Sequence, residues 1–123
     1  MFAWTPATRI YVALDPVDLR QSFNGLCAWV QQHLAQDPLS GHLYLFSNRQ
    51  RNRLKILVWD GDGLWCCAKR LERGRFPWPA GEGHHTQLRA EALSGLLHGL
   101  EVRARPGWYR RPATWRRACW PRG

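Results

Sequence analysis

The sequence predicts an α+β fold. A small antiparallel sheet, a meander of three to four strands, packs against one long helix, and a second helix follows near the C-terminus. Short β-prone runs lie between residues 42 and 71, and apolar residues at helical spacing lie on either side of them. The 123 residues, 45% of them hydrophobic, suffice for one modest core. We therefore expect a single compact domain over residues 1–102, followed by a tail over residues 103–123.

The N-terminal part predicts a strand and then the long helix. Arg9–Leu14 is a short β-prone run that ends at the turn sequence Asp15-Pro16. Asp18 is a suitable N-cap for the helix, and Asp37-Pro38 would end it. The apolar positions of this helix recur at helical intervals: Leu19, Phe23, Leu26, Cys27, Val30 and Leu34.

The central part predicts the meander. His42–Phe46 and Leu54–Trp59 are β-prone runs separated by the polar loop Ser47–Arg53. Asp60-Gly61-Asp62-Gly63 is a tight-turn sequence, because glycine readily adopts the positive φ that short hairpin loops require. We therefore expect Leu64–Leu71 to pair antiparallel with the preceding strand.

The C-terminal part predicts the second helix, which follows the Gly-rich linker Ala80–His85, with Thr86 as a candidate cap. Its leucine face can pack on the sheet or dimerise; packing is favoured, and the oligomeric state stays open. The apolar positions are Leu88, Ala92, Leu93, Leu96, Leu97 and Leu100. From Val102 onward the chain has seven Arg and no acidic residue, and this Arg/Trp/Pro-rich composition is compatible with disorder in the absence of a partner.

The charge of the chain points to nucleic acid. Eighteen Lys and Arg against nine Asp and Glu give a net charge of +9, and sixteen of the eighteen cations are Arg. The guanidinium group is always ionised, offers a planar donor fork to phosphate and stacks on bases. A GC-rich genome would explain the preference for Arg over Lys, but it would not explain the positive sign of the net charge.

The basic residues concentrate around the predicted hairpin, and together with one tryptophan they are the candidate nucleic-acid contacts. If the strand extends back through Arg51, its alternating cations share one face at intervals of about 6.6 to 6.8 Å, a usable spacing for phosphate contacts. Arg beside an aromatic ring also suits stacking on an unpaired base. The alternative is a solvated strand edge, with Phe76 and Trp78 covering the sheet and Glu72 pairing with an Arg. The candidate residues are Arg49, Arg51, Arg53, Lys55, Lys69, Arg70, Arg73, Arg75 and Trp78.

Catalytic, metal and membrane functions are not expected. Asp15 and Asp18 flank a proline turn, and Asp60 and Asp62 belong to a hairpin, so these acids have local explanations other than a two-metal carboxylate site. The four Cys form no C-x-x-C pair, so no zinc site or other cofactor is predicted. No apolar run approaches the length of a membrane span and no secretory signal is visible, so the expected location is the cytoplasm, with reduced thiols.

In their order along the chain, these residues resemble a known family: the TnpB proteins, small second-reading-frame products of the insertion-sequence sixty-six group of bacterial transposons. The resemblance covers residues 8–79, includes the helix ending at Leu96-Leu97-His98-Gly99, and stops near Arg103. The most specific part is the run from Lys69 to Pro79. Besides the cations of that run, the shared pattern comprises Asp18, Leu19, Arg20, Phe23, Gly25, Leu26, Gly41, Leu45, Phe46, Asn48, Arg49, Arg53, Lys55, Trp59, Asp60, Gly63, Leu71, Glu72, Gly74, Phe76, Trp78 and Pro79.

The resemblance implies a transposition helper encoded beside a separate, larger transposase and performing no chemical step of its own. The leading hypothesis is therefore an accessory protein that binds element DNA, with the element ends as the suspected target, through its Arg-rich hairpin region. The first alternative is a protein-interaction adaptor for the larger transposase, because Arg and Trp are enriched in both kinds of interface. An enzyme of unrecognised activity is the third and weakest hypothesis.

Overall fold

The computed structural model describes residues 8–98, which form a five-stranded mixed sheet with helical segments on both faces. The predicted α+β class is confirmed. The tail over 103–123 and the predicted helical position Leu100 lie outside the described residues. The strands are β1 (Ile10–Ala13), β2 (Leu43–Ser47), β3 (Arg53–Trp59), β4 (Leu64–Arg70) and β5 (His85–Leu88), and the helices are α1 (Phe23–Trp29), continued by a π-helical segment (Val30–Leu34), and α2 (Ala90–His98).

The strand order is β4-β3-β2-β1-β5. The predicted meander is confirmed, since β2, β3 and β4 pair antiparallel in succession. β1 pairs parallel with β2, placing Ile10 opposite Leu43, and α1 lies in the connection between these two strands. A parallel pair requires such a crossover, because a short hairpin can join only antiparallel strands.

The first helix is shorter than predicted, and Asp18 does not cap it. α1 begins at Phe23, because the Asp18 carboxylate instead accepts the backbone N–H of Arg20 (3.0 Å) and closes a separate turn. The backbone N–H of Gln21 donates to the Asp18 carbonyl within the same turn (3.1 Å). At the other end the helix passes into the π-helical segment and stops at Ala35, whose φ of 52° is left-handed.

The prediction that Thr86 caps the second helix is wrong. Thr86 lies in β5 opposite Val12 of β1, and Leu88, predicted as a helical position, pairs with Ile10 in the same antiparallel ladder. Without β5, β1 would be a sheet edge with unpaired N–H and C=O groups. Pairing β5 with β1 therefore satisfies more backbone hydrogen-bonding groups than an extra turn of α2 would. The helix consequently starts later, at Ala90.

Alternation along the strands divides the core into two clusters on opposite faces of the sheet. On one face Leu93 and Leu96 of α2 pack with Phe76 against side chains that include Val12 and Leu45. On the other face Leu26, Val30 and Leu34 of the first helix pack against side chains that include Tyr11, Tyr44 and Phe46. β1 and β2 are buried along their whole length, whereas β4, at one edge of the sheet, is half exposed.

Candidate nucleic-acid interface

The loop between β2 and β3 is a tight turn organised by the side chain of Asn48. Its Oδ1 accepts the backbone N–H groups of Asn52 (3.1 Å) and Arg53 (3.2 Å), and its Nδ2 donates to the Asn52 side chain (2.7 Å). Beneath the turn, the fully buried Ser47 donates its hydroxyl to the Arg53 carbonyl (2.8 Å). These bonds fix the backbone that carries Arg49, Arg51 and Arg53.

The two basic segments predicted from the sequence come together in space. Arg53 at the start of β3 lies opposite Arg70 at the end of β4. Beyond that pair, the Leu71 N–H donates to the Asn52 carbonyl (2.8 Å) and the Phe76 N–H to the Arg51 carbonyl (2.7 Å). Residues 49–53 and 69–76 therefore form one surface, which we call the basic corner.

Arg51 does not belong to an alternating strand, which corrects the prediction that four cations share one face of β3. The strand begins at Arg53, and the Asn48-centred turn gives Arg51 a left-handed φ of 60°. Its guanidinium points inward: Nη2 donates to the Leu14 carbonyl (2.8 Å), and Cζ lies 5.3 Å from the ring centroid of Trp78. Burial lowers the pKa of Arg51 from its ordinary value.

Trp78 is anchored in the same contact. Its indole Nε1 donates to the Ala13 carbonyl (2.7 Å), and its ring packs against the core on the α2 side. Together Arg51 and Trp78 connect the basic corner to β1 and to the segment that follows it. Their intramolecular contacts match the alternative in which the aromatic residues cover the sheet.

The two lysines also have internal acceptors, on opposite faces of the sheet. Lys55 Nζ donates to the Gln21 carbonyl just before α1 (2.8 Å), and Lys69 Nζ donates to the Leu97 carbonyl in the last turn of α2 (2.6 Å). An ammonium group is favourable at a helix C-terminus, where carbonyl groups lack intrahelical donors. Both lysines thus fasten helical segments to the hairpin.

The remaining cations of the basic corner are exposed: Arg49, Arg53, Arg70, Arg73 and Arg75. Arg70 pairs with Glu72 at 3.0 Å, with 58% of its side chain exposed. Within residues 8–98, the side chains of Arg49, Arg53 and Arg75 have no hydrogen-bond or ion-pair partner. Like charges directly opposite each other on paired strands are unfavourable, and Arg53 and Arg70 stand in this relation.

The first part of the motif forms a surface ion pair. Arg20 donates to Asp18 through Nε and Nη2, the shortest bond being 2.8 Å, and hydrogen bonding from this side chain lowers the pKa of Asp18 to about 2. Phe23 is 43% exposed at the start of α1. At Gly25 a Cβ would approach the flexible side chain of Gln21, so this glycine leaves room for that side chain.

The second part of the motif closes the β3–β4 hairpin. Asp60 accepts the backbone N–H groups of Asp62 (3.1 Å) and Gly63 (3.0 Å) and the indole N–H of Trp65. These bonds, that of Trp65 foremost, lower the pKa of Asp60 to about 2. Trp59, which precedes Asp60, is half-buried. This part of the motif therefore builds a turn.

The third part of the motif attaches the segment after β4 to the core. Phe76 is buried, with 2% of its surface exposed, and Leu71 packs against the same cluster. Gly74 has a positive φ of 74°, which glycine adopts without steric cost, and Pro79 is half-buried. Most motif residues thus build the scaffold that displays the exposed arginines.

Sequence reasoning missed two features. One is the Asn48 network: Asn48 belongs to the family pattern, but its role as the hydrogen-bonding centre of the turn was not predicted. The other joins Asp15 to His84, whose Nδ1 lies 2.7 Å from the carboxylate, while the His84 ring contacts His33 edge-on at 5.4 Å. These partners are distant in sequence, and only the pairing of β5 with β1 brings them together.

Metal-ligating groups are scattered in the described part of the chain, where no three His, Cys, Asp or Glu side chains are placed to hold an ion. Cys27, Cys66 and Cys67 are free thiols, and burial raises the pKa of Cys27 and of Cys67. Of the helices between residues 8 and 98, none combines the length and apolar character needed to cross a membrane.

Comparison with known proteins identifies the family. The model of a family described as IS66 Orf2 like protein, TnpB, matches residues 8–106. The chain belongs to this family. The resemblance predicted from the motif is thereby confirmed, and an IS66 Orf2-like protein is an accessory protein of a transposable element. The match ends at residue 106, close to the point near Arg103 where the resemblance was expected to stop.

Two relatives of this IS66 Orf2-like protein come from Sinorhizobium fredii strain NGR234, and both are described as uncharacterized. Protein y4hO is 37% identical over 108 residues, covering 88% of this chain and 89% of the relative. Protein y4jC is 38% identical over 93 residues, covering 76% of this chain and 80% of the relative. No solved structure matches the chain.

Proposed function

We propose that this transposition accessory protein binds DNA through the basic corner, with the element ends in the bacterial cytoplasm as target, and that it does not itself catalyse strand transfer. The observation that carries the proposal is the placement of Arg53 opposite Arg70, both exposed, beside the exposed Arg49. Affinity for a polyanion requires several cations that can each reach a phosphate.

The backbone geometry favours phosphate binding at this pair. The Leu71–Asn52 hydrogen bond implies that Arg53 and Arg70 form the adjacent non-hydrogen-bonded pair, in which the Cα atoms of antiparallel strands lie about 4.5 Å apart. Two guanidinium groups at that separation can contact one phosphate or two successive ones. Because the turn is fixed by Asn48, little backbone entropy is lost on binding.

The proposal divides the nine candidate residues into two groups. Arg49, Arg53, Arg70, Arg73 and Arg75 are the proposed phosphate contacts, since their side chains are exposed. Arg51, Trp78, Lys55 and Lys69 support that surface, since the side chain of each donates to a backbone carbonyl of the protein, although Lys69 is itself exposed. Base stacking by Trp78, considered from the sequence, is therefore not part of the proposed interaction.

The decisive measurement is the salt dependence of binding to duplex DNA, followed by fluorescence anisotropy. If the exposed arginines neutralise about five phosphates, the log–log slope is about −4 to −5. Arg53→Gln should reduce the magnitude of the slope by about one, as expected for a lost phosphate contact. A flat dependence, or no binding at low salt, would exclude the proposal.

Arg89→Gln is the matched control, because Arg89 is also exposed but follows β5 at the opposite edge of the sheet. It removes the same charge, so an equal effect of both variants would mean that net charge and not the basic corner determines binding. The double variant Arg53→Glu, Arg70→Glu should abolish binding while the circular dichroism spectrum and the melting temperature stay unchanged.

The adaptor hypothesis is tested by co-purification with the larger transposase of the same element, with and without nuclease treatment. In the DNA-binding proposal, nuclease disrupts co-purification. A complex that survives nuclease, together with weak and salt-independent DNA binding, would favour the adaptor.

A further inference from the structure

The free edge of β4 is a further candidate interaction surface, independent of DNA binding. Among residues 8–98, β4 pairs only with β3, and it is the outermost strand of the sheet. Proteins usually protect such an edge with charges, proline or a bulge. The stretch Leu64–Ala68 contains no charged residue and no proline, so its edge is open to another strand.

The hydrogen-bond pattern identifies the backbone groups that this edge presents. The Asp60 N–H bonds to the Gly63 carbonyl at the hairpin turn, and the Leu71 N–H bonds to the Asn52 carbonyl at the other end. Because bonded and non-bonded pairs alternate, Trp65, Cys67 and Lys69 direct their backbone groups to β3. The N–H and C=O groups that face outward belong to Leu64, Cys66, Ala68 and Arg70.

The charge distribution along this edge is complementary to itself only in the antiparallel sense. Asp60 and Asp62 precede β4, whereas Lys69 and Arg70 end it, and Arg73 and Arg75 follow. The acid among these cations, Glu72, forms an ion pair with Arg70 of its own chain, so the basic end keeps a net positive charge. Two copies paired in parallel would bring the cations of one strand beside those of the other. Antiparallel pairing places the acidic turn of each copy beside the basic end of the other.

We infer that this protein forms a two-fold symmetric homodimer in which the β4 strands of two copies pair antiparallel, with Cys67 facing Cys67 across the axis. This register is centred on the strand. It bonds Leu64 to Arg70 and Cys66 to Ala68 of the second copy, so all four outward-facing residues are used. The two sheets become one continuous sheet, and both exposed β4 edges are removed.

The same register gives the exposed Trp65 a partner. Trp65 is 40% exposed, and it lies opposite Lys69 of the second copy in a non-hydrogen-bonded pair, where side chains approach closely. The aliphatic part of Lys69 can cover the indole ring while its ammonium group keeps the Leu97 carbonyl as acceptor. A large exposed aromatic side chain on a strand edge is thus explained.

Site-directed disulfide formation tests the register directly. Cα atoms of a non-hydrogen-bonded antiparallel pair lie about 4.5 Å apart, inside the range of about 4.4 to 6.8 Å for disulfides. The variant Cys27→Ser, Cys66→Ser, Cys119→Ser keeps Cys67 as its sole thiol and should form a covalent dimer with copper phenanthroline. The matched variant that keeps only Cys66 should not, since Cys66 faces Ala68 of the second copy.

The oligomeric state of the full chain is measured by light scattering across a concentration series, where a dimer has twice the mass of 14.3 kDa. Ala68→Pro should yield monomers, because it removes only an outward-facing N–H and leaves the bonds to β3 intact. Ala68→Thr keeps that N–H and should remain dimeric. Unchanged melting behaviour at low concentration shows that both variants fold.

Three results would overturn the inference. The native chain could stay monomeric throughout the series, which would mean that a second copy does not pair with the β4 edge. A dimer could persist in Ala68→Pro, which would place the interface elsewhere. The sole-Cys67 and sole-Cys66 variants could cross-link equally, which would exclude this register.

Discussion

The guanidinium of Arg51 lies over the indole of Trp78, 5.3 Å from the ring centroid, and donates to the Leu14 carbonyl. Trp78 in turn donates to the Ala13 carbonyl. Arg51 belongs to the basic corner, but its contacts are structural: they connect this surface to β1. Arg49 is exposed on the same turn, so the two arginines have different roles although only one residue, Gln50, lies between them.

Arg51→Ala should lower the free energy of unfolding by about 2 to 3 kcal/mol, since it removes a charged hydrogen bond and a cation–π contact. Arg49→Ala, in the same turn, should change it by less than about 0.5 kcal/mol, as expected for an exposed side chain. Urea denaturation of both variants provides the comparison. Equal effects would mean that the inward contacts of Arg51 contribute nothing.

Asn48→Ala should also destabilise the protein, by about 2 kcal/mol, because the N–H groups of Asn52 and Arg53 lose their acceptor. Asn48→Asp keeps the side-chain acceptor and should therefore lower the free energy of unfolding by less. Hydrogen exchange at these two amides is the specific measurement: it should accelerate in Asn48→Ala. Unchanged protection would show that the turn is held by other bonds.

Proline substitutions distinguish β5 from a helix cap. The bond from the Leu14 N–H to the His84 carbonyl sets the alternation, so the Thr86 N–H faces β1 and the Gln87 N–H faces outward. Thr86→Pro should therefore cost about 3 kcal/mol of unfolding free energy, and Gln87→Pro much less. The reverse order in thermal or urea unfolding would contradict the strand register.

Asp18 should titrate with a pKa of about 2 in the folded protein, because Arg20 hydrogen-bonds to the carboxylate form. The folded pKa lies below the ordinary value of 3.8, so the associated stability is fully present above about pH 4 and declines as the pH falls toward 2. Carboxyl carbon shifts measured by NMR follow this titration. In Arg20→Ala the midpoint should move back toward 3.8; a midpoint that stays near 2 would assign the shift to another group.

Local sequence patterns predicted the elements whose partners are close in the chain. The Asp60–Gly63 turn and its flanking strands form the predicted hairpin, because the turn residues and the alternating side chains act over a few positions. The sequence also predicted that the arginines near the two strands of this hairpin would lie together, since antiparallel pairing brings those strands side by side. The family motif was recognised from its residues and their order along the chain, and two of them, Asp60 and Gly63, build the hairpin turn.

Other features depended on partners remote in sequence. Thr86 satisfies the local rules for a helix cap, yet it lies in β5 and pairs with β1. Leaving the backbone groups of β1 unpaired would cost more free energy than losing a helix cap. The sequence does not distinguish exposed cations from cations that hydrogen-bond within the protein. Only the tertiary contacts make that distinction. The carbonyls of Leu14, Gln21 and Leu97 accept Arg51, Lys55 and Lys69.

The sequence by itself thus determined the α+β class, the meander, the family and the basic character of one region, all of which rest on local spacing and composition. Tertiary structure decided which cations face solvent, where the helices begin and which strand forms the open edge. Those properties depend on long-range backbone hydrogen bonds, whose acceptors the local pattern does not specify.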